Sequence, residues 1–411
     1  MLLSNDTLSR LDLCMDRESL IQKTHASPGL LVVAVTGGGA TAISDWTATP
    51  GASATLLEAV VPYATQSIDH WLGYAPESYC CERTARLLAM RAYLQAVELV
   101  KDEPDAGTGV DTPLTGCACT ASLASTRPKR GEHRAHIAIQ SEERTTVCSI
   151  TFEKGRRTRT EEDRIVADQI LIMAALAKGV DAPSDFVGSE TERLETKEAV
   201  ASDALRNLFR GTILGIRVKA GPNFTTETAC MSDVEQDANA SPLLFPGSYR
   251  PMHRGHRGMI EAAQRLTGRS VELEMSIGNV DKPPLDFLEI EHRIQNIDAG
   301  MPVWLTHTPT FEEKSTLFPG ATFIVGTDTI RRIGDPSYYG DMKKRLAAID
   351  RIAERGCRFL VFGRQSSCDE TFESLSSIKL PPTLQAICDE APESVFREDV
   401  SSTEIRKGEK P

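Results

Sequence analysis

Two histidines, His253 and His256, close the run Phe245-Pro246-Gly247-Ser248-Tyr249-Arg250-Pro251-Met252-His253-Arg254-Gly255-His256. Side chains three residues apart project from the same side of a helical turn. Where a helix begins, beside backbone N–H groups with no partner inside the helix, two imidazoles make a cluster suited to phosphate. Gly255 lets a ligand come close to the backbone, and Gly247-Ser248 reads as a tight turn after a strand. The bland alternative is a pair of surface histidines; a zinc pair is the other, but no Glu separates them as in HExxH. A second cluster, Ser401-Ser402-Thr403 with Arg406, offers three hydroxyls and a guanidinium that can bridge phosphate oxygens. Read as structure alone, Ser401 and Glu404 make a capping box at a helix start.

The elements that must position these groups alternate regularly. Strands are predicted over 243–245, 271–277, 321–325 and 359–362, and helices over 256–266, 286–297 and 342–355. Such alternation predicts a parallel, doubly wound sheet with sites at the carboxyl ends of its strands. Earlier in the chain, an apolar strand over 30–35 runs into Thr36-Gly37-Gly38-Gly39. A helix over 82–100, strands over 136–139 and 147–152, and a helix over 161–178 follow, suggesting an α/β sandwich. A helix over 190–209 and a strand over 213–218 connect the two. The polar stretch 229–242 is the best boundary, and 101–112 reads as a loop within the first domain. The expected division is 1–182, a helical connector and linker over 183–240, and a second domain over 241–411.

A chain of 411 residues is too long for one ordinary core. Its net charge of -12 excludes a general nucleic-acid binder, though not a nucleotide binder, which needs only a few local cations and amides. The opening residues lack the apolar core of a signal peptide, and no window reaches the length of a membrane span, so the cytoplasm is the expected location. The ten cysteines are scattered and read as free, packed thiols.

These residues resemble the HxGH nucleotidyltransferase superfamily (the cytidylyltransferase-like fold). Gly247 to His256 is similar to its GxFxPxHxGH signature, with Tyr249 in place of Phe, and Val400 to Arg406 to its ISSTxIR signature. The resemblance covers roughly the last 170 residues. It implies that Phe245, Gly247, Ser248, Tyr249 and Gly255 shape the triphosphate site. It assigns His253, His256 and Arg406 to the reacting phosphates, with Ser401, Ser402 and Thr403 on the other side. Within the superfamily the chain looks most like the nicotinamide- and nicotinate-mononucleotide adenylyltransferases. Phe323 to Asp328 resembles their strand ending in G-x-D, which puts Gly326 and Asp328 on the nucleoside, and Phe359 to Arg364 resembles a later strand ending in a basic residue. Lys282 and Arg293 are similar to their acceptor-side cations, and Trp304 could stack on a pyridine ring or be a strand Trp in the core. The C-terminal motif lacks the Thr-x-Gly usual in cytidylyltransferases, which favours ATP over CTP. The implied reaction joins a nucleoside monophosphate to a phosphorylated acceptor. Mg²⁺ comes with the triphosphate and no dedicated metal ligands are needed.

The first domain resembles the C-terminal family of CinA proteins, whose active members deamidate nicotinamide mononucleotide. The matching residues are Ala34 to Gly38, Thr49 to Ser53 and Val60 to Tyr63. At the family's nucleophile position this chain has Ala34, and the activating lysine falls near Ile68. Without hydroxyl or amine no acyl intermediate forms, so the resemblance implies a non-catalytic partner for ligand binding, support or homo-oligomer formation. Two other readings stay open: a nucleotide-binding regulatory protein with both domains inactive, and a front-domain amidase using Thr36.

Overall fold

In this computed structural model the described residues are 16–102, 112–126, 130–182, 192–221, 229–230, 241–278, 283–365 and 372–397. The apolar run near the start forms β1 (Leu30–Thr36), whose alternate side chains feed two different cores. Leu31, Val33 and Val35 join one buried cluster and Ala34 another. With β2 (Leu56–Val60), β3 (Leu114–Ser122), β4 (His133–Gln140), β5 (Arg144–Phe152) and β6 (Arg193–Val200) it makes a sheet of order β2-β1-β3-β4-β5-β6. β1 lies parallel to β2 and β3, and the remaining neighbours are antiparallel. Helices Arg17–Ala26, Thr41–Ala48 and Arg159–Ala177 contribute Leu20, Trp46 and Ile170 to the first cluster. Helices Thr65–Leu72 and Glu82–Asp102 contribute Ile68, Leu72 and Leu88 to the second. The unit is therefore a three-layer sandwich. Helix Arg159–Ala177 starts on a capping box between Thr158 and Glu161, which satisfies two end groups reciprocally.

The helix expected over 190–209 is corrected. Its first half is β6, paired from Arg193↔Thr151 onward with β5, and only Asp203–Phe209 is helical. Glu, Lys and Ala favour a helix locally, but an open sheet edge supplies a full ladder of hydrogen bonds, and tertiary pairing overrides propensity. The mostly exposed, charged side chains of β6 suit an edge strand. By contacts the first unit is Met1–Ala201 with Asp281–Leu288, and the second is Ser202–Val280 with Glu289–Pro411.

In the second unit β7 (Gly215–Lys219), β8 (Ala229–Cys230), β9 (Leu243–Pro246), β10 (Val271–Ser276), β11 (Pro302–Thr306), β12 (Thr322–Gly326) and β13 (Arg358–Phe362) are followed by a small hairpin, β14 (Arg364–Gln365) and β15 (Phe372–Glu373), and by β16 (Cys388–Ala391). The main sheet has the order β16-β13-β12-β9-β10-β11-β7-β8. From β16 to β11 all neighbours are parallel; β7 adds antiparallel to β11, and β8 to β7, which the expectation of a wholly parallel sheet did not include. From β9 the chain moves outward through β10 and β11, then returns to the other flank for β12, β13 and β16. The strand order thus reverses between β9 and β12, and a crevice at their carboxyl ends is where such sheets take ligands. Leu244, Phe323, Val325, Phe359 and Val361 build the core of one face with helices Phe311–Leu317, Thr327–Gly334 and Met342–Glu354.

Candidate functional site

The exit of β9 is built around Tyr249. Its φ of 45° lies in the left-handed region, and its buried hydroxyl donates to the carbonyl of Phe245. That folds the phenol back over Gly247, where a Cβ would stand 2.7 Å from the ring's Cζ. Only glycine fits there. Gly247 N–H donates to the Glu274 carbonyl at 2.9 Å, tying the turn to β10. Ser248 is exposed, and its carbonyl accepts from Arg293 Nη1 at 3.0 Å. Burial, then the Glu274 carboxylate, pushes the Tyr249 hydroxyl well above its ordinary range, so it stays a neutral donor.

Helix Arg254–Thr267 begins directly after this turn, with Gly255 buried in its first turn. The His253 and His256 rings lie 3.8 Å apart at 32°, and Phe245 and Tyr249 pack on His256 at 5.8 and 5.4 Å. The His253 backbone N–H donates to His256 Nδ1 at 3.3 Å, so a neutral His256 carries its proton on Nε2. Burial, then the neighbouring His253 and Arg257, lowers the His256 pKa to about 3. His253 is lowered by burial, then by Arg257 and Arg254. Both rings are neutral at pH 7: hydrogen-bond donors held at a helix N-terminus, able to gain charge when an anion compensates them.

Across the crevice, Gly326 ends β12, and a Cβ there would meet nothing within 4 Å. Thr327 follows, fully buried, its hydroxyl without a hydrogen-bond partner among the described residues. Asp328 pairs with Arg364, so the G-x-D strand end and the basic residue after β13 meet. Sequence reasoning named both segments but not their contact, and it missed Thr327. It also missed a buried network beside β9: Lys314 Nζ lies 2.7 Å from Glu274 Oε1, which also accepts from Thr306.

The expected acceptor residues fare differently. Arg293 is buried and bridges Glu289 at 2.8 Å, so its guanidinium braces the Ser248 turn. Trp304 is 4 % exposed, packed edge-on against Phe318 at 5.2 Å, with its indole N–H on Glu272; it lies in the core. Lys282, Ser401, Ser402, Thr403 and Arg406 lie outside the described residues. The last described residues nevertheless reach the histidine helix. A Cβ on Gly258 would stand 2.6 Å from the Phe396 ring, and Arg265 donates to the Val395 carbonyl.

In the first unit, Ala34 and Ile68 share one buried apolar cluster. Hydrocarbon packs on hydrocarbon at both positions.

Residues 244–408 match the model of the cytidylyltransferase-like family, which supports a nucleotidyltransferase activity in general. Over the N-terminal part, the chain is similar to solved structures of the CinA superfamily. The competence/damage inducible protein CihA from Agrobacterium tumefaciens is 18% identical, covering 40% of this chain and 92% of that one, with a TM-score of 0.26. A competence-damaged protein (CinA) superfamily protein from Escherichia coli is 14% identical, covering 44% and 95%, with a TM-score of 0.30. A competence or damage-inducible protein from Enterobacter asburiae is 14% identical, covering 40% and 96%, with a TM-score of 0.28. No curated protein matches the chain. No helix among the described residues is long and apolar enough to cross a membrane.

Proposed function

We propose that the second unit transfers a nucleoside monophosphate, AMP from ATP, to a phosphorylated acceptor of the pyridine-mononucleotide class, with release of pyrophosphate. The observation that carries this reading is the pair of neutral, stacked imidazoles at the start of helix Arg254–Thr267, directly beyond the exit of β9 and beside the strand reversal. An acceptor phosphate oxygen forms a bond to the α-phosphorus, and the bond from that phosphorus to the bridging oxygen breaks. The electron pair leaves on pyrophosphate, and no proton or electron need come from a protein side chain. The chain's task is positioning and neutralising charge. His253 and His256 donate to the departing phosphates, the Gly247-Ser248 turn runs beside the triphosphate, and Asp328 faces the nucleoside. Ser401, Ser402, Thr403 and Arg406 complete the triphosphate site in this reading.

Among the described residues no group of three or more His, Cys, Asp or Glu could hold a metal ion. The donor set at the crevice, imidazoles and one arginine-paired carboxylate, fits Mg²⁺ carried on the phosphates, where it would neutralise their charge. The first unit is in this reading a non-catalytic partner, because the Ala34 and Ile68 positions hold neither nucleophile nor base.

The test is pyrophosphate release by the full chain with Mg²⁺. ATP and CTP would be compared against nicotinamide mononucleotide, nicotinate mononucleotide and phosphopantetheine, with His256→Ala as control. Release with ATP and one mononucleotide, lost in the variant, is the expected result. Release with CTP alone would reassign the nucleotide, and silence with every acceptor would overturn the reading.

A further inference from the structure

The carboxyl edge of the second sheet carries another imidazole, His307, which the reaction above does not use. It follows β11 directly, and its backbone N–H donates to the Leu214 carbonyl at 2.9 Å. A Cβ on Gly278, two residues beyond β10, would lie 3.8 Å from its Nε2, 3.9 Å from its Cδ2 and 4.0 Å from its Cε1. The ring therefore reaches back from β11 over the exit of β10, towards β9. It is half-buried and makes no side-chain hydrogen bond among the described residues.

The main chain on both sides of it is fixed from beneath. Thr306 and Thr308 are buried; Thr306 donates to Glu274 Oε1, and Thr308 donates to Thr306 at 2.8 Å. Lys314 Nζ lies 2.7 Å from Glu274 Oε1 and donates to the Thr308 carbonyl at 2.7 Å. A buried ion pair is a poor source of net stability, since desolvation offsets its attraction. What this one does is hold the His307 segment to Glu274, the residue whose carbonyl also anchors Gly247. One residue thus sets the geometry of both the triphosphate turn and the imidazole.

Neighbouring strands lie about 4.8 Å apart, so a ring over β10 stands roughly one strand from the exit of β9. An attacking oxygen must come within about 3–3.5 Å of its phosphorus. With the α-phosphorus at the exit of β9, as the proposed reaction has it, the acceptor's phosphate falls within reach of such a ring. We propose that His307 is an acceptor-binding residue that donates a hydrogen bond to the acceptor phosphate, positioned by Glu274, Lys314, Thr306 and Thr308. This rests on the nucleotidyl-transfer reading and adds to it the residue that selects a phosphorylated acceptor.

The test is steady-state pyrophosphate release by the full chain, varying whichever mononucleotide supports release in the parent protein. His307→Ala is expected to raise KM for that acceptor by about 10- to 100-fold, the scale of a hydrogen bond to a charged group. KM for the triphosphate should stay unchanged and the melting temperature should match the parent. His307→Asn, which keeps an N–H donor, should recover part of the loss. An unchanged acceptor KM in His307→Ala, or an equal rise in both KM values, overturns the assignment while leaving the reaction intact. Absence of release by the parent protein with every acceptor overturns the reaction and the assignment with it.

Discussion

Replacing Lys314 by Met would remove the ammonium from beside Glu274 and leave a carboxylate whose side chain is 1% exposed with, among the described residues, a threonine hydroxyl as its remaining side-chain partner. Breaking a buried pair from one side costs about 3–5 kcal/mol, because the surviving charge is stranded. For a unit of this size that corresponds to a fall in melting temperature of roughly 6–20 °C. Glu274→Gln together with Lys314→Met keeps the volume and the acceptor for Thr306 while removing both charges, so it should recover most of the loss. The coupling across the four proteins should come to about 2–4 kcal/mol. The chain has three tryptophans, Trp46, Trp71 and Trp304, and only Trp304 belongs to the second unit. Urea titration followed by 19F NMR of 5-fluorotryptophan-labelled protein therefore reads that unit separately, with Trp304→Phe assigning the resonance. A Lys314→Met protein within 1 kcal/mol of the parent would refute the reasoning. So would a double variant as unstable as the single.

Two further outcomes follow from the geometry at the exit of β9. His256 has a pKa of about 3 in the folded chain against an ordinary 6.5, so above pH 6.5 it is neutral folded or unfolded and costs nothing. Below that the unfolded chain takes up a proton that the folded site refuses. Stability should then fall by up to about 1.4 kcal/mol per pH unit until the folded pKa is reached. Urea midpoints at pH 7.5 and 5.5 should differ less in His256→Asn than in the parent protein; equal drops would count against the buried neutral ring. Gly247→Ala puts a methyl 2.7 Å from a fully buried phenol whose hydroxyl is already held. It should cost about 1–3 kcal/mol by overpacking and slow pyrophosphate release; in thermal melts Gly247→Ala should cost less on a Tyr249→Ala background than on the parent.

The alternation of short apolar runs with amphipathic stretches decided the layered α/β character of both units. Local rules also placed the strand, the Gly-Ser turn and the two histidines at a helix start, which needed no partner from elsewhere in the chain. Where an element's state depended on distant strands, local reading failed. The 193–200 segment has helix-favouring residues but is a strand, because β5 offers it a ladder. β11 begins on a proline, its sequence hints at a strand only through the core reading of Trp304, and its place between β10 and β7 is set by pairing alone.

The same division runs through the site residues. Composition and spacing identify Arg293 and Trp304 as a cation and an aromatic, but not that one is locked to Glu289 and the other faces Phe318 in the core. The pairing of Asp328 with Arg364, the Glu274–Lys314 bridge and the approach of His307 to Gly278 join residues on different strands and helices. Sequence fixes which groups are available, since chemistry belongs to residue type. Only the tertiary structure decides which of them are buried, already partnered, or left facing the carboxyl edge, because burial and partnership arise from the meeting of elements far apart in the chain.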